Sequence, residues 1–166
     1  MIRRGEQSFA RLGRGYEEAV QLLFLSIGID ARLVGGRSDG GVDLQGRWRL
    51  APERSIPIIA QCKLIEKKCP PSFVRELEGT VARLSDTLAM LVSSSDASSE
   101  ALTAIRCSPY PLLFLHYSVE QPTLKAAFLN DSLLKRHPGL HIAHRHSQFR
   151  DPIPVFTYNH ALIKPI

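Results

Sequence analysis

No stretch of this chain approaches the roughly 20 consecutive apolar residues that a membrane-crossing helix requires, so none of it reads as a helical span. Cysteine is scarce: Cys62, Cys69 and Cys107 stand apart with no CxxC pair. A zinc cluster therefore lacks ligands at the right spacing. The odd count, with no secretory signal, points to free thiols in a reducing compartment. The glycines at 35, 36, 40 and 41 fit neither GxGxxG nor a Walker loop, which argues against a nucleotide cradle. No internal repeat or low-complexity segment appears.

What remains is the balance of a globular domain. Hydrophobic residues make up 44% of 166 and charged residues 22%, enough for one ordinary core without disulfides. The formal charge is +5 and the pI about 9.4, which favours polyanionic partners, nucleic acid foremost. The opening MIRRGEQSFARLGRG carries four arginines and one glutamate. It reads as a basic arm or the tail of an Arg-rich targeting segment.

Along the chain, Tyr16 to Ile27 repeats apolar residues at three- and four-residue steps, a helix ended by Gly28. A short extended piece, Ala31 to Val34, precedes the glycine-rich loop 35–41. Val42 to Trp48 alternates as a strand, Pro52 to Ser55 turns, and Ile56 to Leu64 is a buried strand. After Pro70-Pro71, Ser72 is placed to cap a helix whose apolar face is Phe73, Val74, Leu77, Val81 and Leu84. Strand Leu88 to Ser93, a helix from Ser98 or Ser99 to about Arg106, and strand Leu112 to Tyr117 follow. This order predicts an α/β (mixed α+β) fold, a mixed sheet flanked by helices. The organisation expected is a basic arm over 1–14, a core over 15–118 and an extension over 119–166 that packs on it. In that extension Leu124 to Arg136 reads as a last helix and the proline-bearing end as loop or extended chain.

Polar groups interrupt the core pattern at three places. Glu17 and Glu18 sit on the first helix, Asp43 in the second strand, Gln61 and Lys63 in the third. Residues two apart in a strand share a face, so Gln61 and Lys63 point one way and Cys62 the other. Burying an amide beside an ammonium is costly unless something pairs with them. An adjacent Asp43 would relieve that cost. Carboxylate, amide oxygen and backbone carbonyl together suit Mg²⁺ or Mn²⁺, and the lysine suits an attacking water or a developing phosphate charge.

These residues carry a family resemblance. Asp43, then Gln61-x-Lys63 eighteen positions on, is similar to the PD-(D/E)xK nuclease superfamily in its QxK form. More closely it resembles the catalytic domain of Mrr-type restriction endonucleases. Tyr16-Glu17 stands for the family's opening helix and Asp39-Gly40-Gly41-Val42-Asp43-Leu44 for its aspartate strand. Ala60-Gln61-Cys62-Lys63 corresponds to its metal-binding strand and Val74-Arg75-Glu76-Leu77-Glu78-Gly79 to the next helix. A strand ending Ser93-Ser94-Ser95 and a helix entered through Ser98 complete the order, over residues 13–117. The glycine loop also resembles a fungal mitochondrial branch with a role in respiratory growth. No proline precedes Asp43, and a glutamine replaces the second acidic ligand.

The resemblance implies a restriction-endonuclease-like fold and a Mg²⁺- or Mn²⁺-dependent deoxyribonuclease, an endonuclease acting on DNA. It implies metal ligands Asp43, Gln61, the Cys62 carbonyl and Glu17, with Lys63 catalytic, and it chooses Glu17 where helix geometry alone leaves Glu17 and Glu18 open. DNA is the expected partner, a homodimer is admitted, and the narrower likeness implies the mitochondrion. Arg37, Ser38, Lys67 and Lys68 are candidate DNA contacts. Trp48, between Arg47 and Arg49, reads as a packed hairpin aromatic, and Cys62 as inert core. His137, His141, His144 and His146 read as a basic or solvated segment rather than a zinc nest. Two rival readings share the fold: a catalytically inactive DNA-binding module, and a structural subunit.

Overall fold

The computed structural model describes residues 4–34, 40–148 and 150–166. Helix α1 (Arg4–Ser26) buries Tyr16, Val20 and Phe24, one residue per turn on a single stripe. It starts at Arg4, well before Tyr16, so most of the stretch expected as a separate basic arm belongs to the helix. The Glu, Gln, Ala and Arg of that stretch are good helix formers, and its glycines do not break the turn pattern. Gly28 ends the helical run at φ +84°, and a side chain there would meet Ile163 Cγ2 at 2.7 Å and the Lys164 carbonyl at 2.8 Å.

Strands β1 (Ile29–Leu33), β2 (Leu44–Ala51) and β3 (Arg54–Lys63) form an antiparallel meander. Helix α2 (Pro71–Val81) leads to β4 (Leu88–Ser93) and α3 (Ser99–Cys107) to β5 (Leu112–Ser118). Strands β3, β4 and β5 run parallel, as crossovers through a helix allow. The result is a six-stranded mixed sheet, ordered β1-β2-β3-β4-β5-β6 and flanked by helices. It bears out the mixed α/β architecture, a sheet flanked by helices, that the sequence leads one to expect.

The sheet has a core on each side. Ala60 of β3, Met90 of β4 and Leu115 of β5 pack with α1, whereas Ile59, Leu91 and Phe114 pack with α2 and α3. Period-two alternation thus turns Gln61 and Lys63 toward α2, and Cys62 toward α1.

Three local expectations are corrected. Helix α2 begins at Pro71 with Pro70 as its extended N-cap and no side-chain cap bond, so Ser72 lies inside the first turn. A proline in the first turn lacks an N–H that has no intrahelical partner there anyway, and no hydroxyl cap is needed for it. Leu84 lies beyond the helix end and is 43% exposed. Residues Leu124 to Arg136 are not one helix: β6 (Thr123–Leu129) pairs antiparallel with β5, and a short α4 (Asp131–Arg136) follows. The unpaired edge of β5 overrides the helix propensity of Leu-Lys-Ala-Ala.

The tail forms a second antiparallel sheet of β7 (Leu140–Ser147), β8 (Arg150–Tyr158) and β9 (Ala161–Leu162). Leu140, Phe156 and Ile163 of this tail join the α1-side core. Phe156 meets Trp48 edge-to-face at 5.0 Å. Trp48 is fully buried, and its indole Nε1–H donates to the Ile27 carbonyl at 2.8 Å, as a packed hairpin aromatic should.

Candidate active site

The antiparallel register that sets Leu44 against Ala60 brings Asp43, one residue before β2, opposite Gln61. Asp43 is fixed through its backbone: its N–H donates to the Ala60 carbonyl and its carbonyl accepts from Val34 N–H, both at 2.9 Å. Its carboxylate Oδ2 accepts the Cys62 backbone N–H at 2.6 Å. A charged acceptor makes this a short, strong bond, and it ties the end of β3 to the mouth of the glycine loop.

Gln61 is fully buried, and among the described residues neither its Oε1 nor its Nε2 has a hydrogen-bond partner. Such an orphaned amide calls for an explanation, an ion or water among them. Gly41 takes φ +80°, and a Cβ there would lie 2.8 Å from Gln61 Nε2 and 3.0 Å from Glu76 Oε1. Glycine at 41 thus lets this backbone pack directly against the Gln61 amide and the Glu76 carboxylate.

Lys63 projects from the end of β3 toward α2. Its Nζ donates to both carboxylate oxygens of Glu76 at 3.2 Å and lies 4.6 Å from the centre of the Phe73 ring. Phe73 and Glu76 are three residues apart on α2 and so share a face, set beside the buried stripe of Val74, Leu77 and Val81. Glu76 is not marked by the strand pattern that singles out Asp43, Gln61 and Lys63. The available signal was its i+3 spacing from Phe73 at the margin of that apolar stripe.

From the other side of the sheet, α1 offers Glu17. Its side chain is 20% exposed against 61% for Glu18, and both lie near Arg14, at 3.9 and 3.7 Å. Burial pushes the Cys62 thiol well up, and the nearby carboxylates of Asp43 and then Glu17 push it further, opposed by Lys63. Glu17 is thus the glutamate whose charge reaches this strand. Cys62 stays a thiol, not a nucleophile. Tyr16, beside Glu17, is pushed up first by burial, and its hydroxyl donates to the Tyr117 carbonyl at 3.2 Å.

The structure therefore brings Asp43, Gln61, Cys62 and Lys63 together with Glu76, and sets Glu17 across the strand from them. Lys67 and Lys68 are exposed in the loop between β3 and α2. Arg37 and Ser38 lie outside the described residues. His141, His144 and His146 are exposed on β7, while His137 hydrogen-bonds Arg54 at 3.3 Å. Among the described residues no three His, Cys, Asp or Glu side chains converge as a metal group. A cation at this site would accordingly depend on the Gln61 amide and a backbone carbonyl alongside carboxylate. That all-oxygen donor set fits Mg²⁺ or Mn²⁺ better than zinc.

A family model described as Required for respiratory growth protein 7 matches residues 50–150, more than half of the chain. The chain belongs to that family. The matched stretch takes in Gln61, Lys63 and Glu76, and Asp43 lies just before it. An uncharacterized mitochondrial protein of Schizosaccharomyces pombe is 31% identical over 111 residues, 65% of this chain. The chain spans 45% of the length of that curated relative. Family and relative together bear out the mitochondrial location, and no described helix is long and apolar enough to cross a membrane. Two solved chains are also similar. The restriction endonuclease MspJI, in complex with a 27-mer oligonucleotide, shows 25% identity and a TM-score of 0.44 over 65% of this chain and 27% of that one. The DNA modification-dependent restriction endonuclease AspBHI shows 18% identity and a TM-score of 0.49 over 66% of this chain and 28% of that one.

Proposed function

We propose that this chain is a Mg²⁺- or Mn²⁺-dependent DNA endonuclease. The observation that carries the reading is the buried, unpartnered Gln61 amide, held between Asp43 and the Lys63–Glu76 pair. Asp43, the Gln61 amide oxygen and the Cys62 carbonyl would hold the ion, while Glu17, across the strand on the α1 side, bears on it through its charge rather than as a ligand. When bound, it would supply positive charge to a phosphate oxygen and lower the pKa of a water. The protein's own residues do the remainder. Asp43 is fixed by its backbone ladder and by the Cys62 N–H, so its carboxylate is preorganised. Lys63 Nζ orients the attacking water or meets the charge that develops on the phosphate. Glu76 holds that ammonium in place and adds the negative charge that glutamine at position 61 withholds. Excess positive charge on the whole chain favours a polyanion.

The test is incubation of the purified protein with supercoiled and linear DNA in Mg²⁺, Mn²⁺ or EDTA. Asp43→Ala and Lys63→Ala are expected to lower metal-dependent cutting by about 10²-fold or more, with folding intact. Full activity in Asp43→Ala would sink the site assignment. A second reading, a DNA-binding module that does not cut, is favoured by the absence of three converging metal-type side chains among the described residues. It expects salt-sensitive DNA binding without metal-dependent cleavage.

A further inference from the structure

Beyond Lys63, the α2-facing side of the sheet continues as a polar row. In the parallel registers Lys63 of β3 pairs with Ser93 of β4, and Ser93 with His116 of β5. Partners in register share a face, so these three side chains line the C-terminal ends of three adjacent strands. At about 4.8 Å per strand, Lys63 and His116 stand roughly 10 Å apart.

His116 is not an idle strand histidine. Its Nδ1 hydrogen-bonds Asp96 Oδ1 at 2.7 Å, with the imidazole 16% exposed and the carboxylate 63% exposed. The loop that carries Asp96 is pinned on several sides. The Asp96 carbonyl accepts from Cys69 N–H at 2.7 Å, and Ser98 N–H donates to the Cys69 carbonyl at 3.0 Å. Ser94 Oγ bridges the N–H and carbonyl of Ile65, each at 2.8 Å. An irregularity in the β5–β6 pairing falls between His116 and Tyr117, a feature that re-aims side chains at sheet ends.

We infer that His116, oriented by Asp96, binds a backbone phosphate of the DNA strand near the one to be cut. With Nδ1 committed to Asp96, Nε2 is the ring's remaining polar atom. As imidazolium it donates to a phosphate oxygen, and Asp96 offsets its charge. A DNA strand carries one phosphate per roughly 3.4 Å of axis, so the contact falls within about two or three nucleotides of Lys63. The inference rests on the nuclease reading for the position of the cut, and on the dyad's geometry for the contact itself.

The test is a binding cycle on a short DNA duplex in which one phosphate at a time is a neutral methylphosphonate. Binding is measured with Ca²⁺ in place of Mg²⁺, for the full chain and for His116→Ala and Asp96→Asn. Wild type is expected to lose roughly tenfold in affinity at one particular phosphate. His116→Ala should show no loss there while keeping the losses at other phosphates. If His116→Ala fails to fold, Asp96→Asn, which leaves the ring in place, carries the same comparison with a smaller residual loss. Additive losses at every phosphate overturn the inference, as does absence of DNA binding by wild type. Cleavage in Mg²⁺ is run in parallel. Cutting together with additive losses leaves the nuclease standing without this contact, and a coupled phosphate without cutting leaves the contact standing without the nuclease.

Discussion

Lys63 meets a carboxylate and an aromatic face at the end of β3, and Glu76 is accordingly the residue whose removal says most about the site. The pair is partly exposed, so its worth to stability is small, about 0–1 kcal/mol. Its worth to chemistry is larger if Glu76 sets the ammonium and supplies local negative charge. For Glu76→Gln the expectation is a cleavage rate down at least about tenfold, with the melting temperature shifted by only a few degrees. Unchanged cleavage would remove Glu76 from the site. The thiols give an independent check on burial. Burial lifts Cys69 to about 11 and Cys62 well above its usual value, while Cys107 is exposed. At pH 8 the thiolate fractions of Cys62 and Cys69 are therefore small, so a thiol-alkylating reagent should label Cys107 first. Fast labelling of Cys62 in the folded chain would contradict this packing. Asp43, Gln61 and Lys63 were legible because each breaks an apolar strand pattern. Glu76 was not, because a glutamate on a helix resembles any solvated charge until the fold brings a lysine to it. Glu17 and Glu18 differ in burial, 20% against 61% exposed, a difference that spacing alone does not supply.

At the scale of elements, one side chain joins three of them. Asn130 is buried; its Oδ1 accepts from the N–H groups of Leu112 and Leu133, and its Nδ2 donates to the carbonyls of Ile105, Ser108 and Tyr110. It thereby caps α4 while tying the end of α3 to the start of β5. Asn130→Ala would leave several backbone groups buried without partners, at about 1–3 kcal/mol each where water cannot reach them. The net loss expected is on the order of 3 kcal/mol, read as a lower urea midpoint with an unchanged slope. A loss within about 0.5 kcal/mol, the range of an ordinary surface change, would mean the network is not formed. The sequence concealed this junction because β6 carries residues that suit a helix, and only the open edge of β5 makes it a strand. Prolines concealed β8 in the same way. Pro152 and Pro154 sit where, among the described residues, β8 pairs with β7 and β9 does not reach, since β9 pairs no further than Thr157. A missing N–H is tolerated on such an unpaired side. The meander and the parallel strands were legible because their apolar runs are short, β-branched and bounded by turns.

For the molecule as a whole, the open matter is whether the second sheet is an appendage or part of the core. Three observations favour the core: Phe156 against Trp48, Ile163 against Gly28, and the Ile166 N–H donating to the Leu25 carbonyl at 2.9 Å. The sheet thus covers the C-terminal end of α1 and the hairpin of β2 and β3. Trp48 is the chain's single tryptophan, so its fluorescence reports on this covering without labels. Removing residues 138–166 would expose the indole and withdraw Leu140, Phe156 and Ile163 from the α1-side core. Each fully buried apolar side chain contributes about 1.5–3 kcal/mol, so three of them approach the total stability of an ordinary domain, about 5–15 kcal/mol. The shortened chain is therefore expected to lose cooperative melting, with Trp48 emission shifted to the red. Blue emission and a sharp melt in that chain would instead make the second sheet a separable module. The six-stranded sheet and its site could then be studied without it.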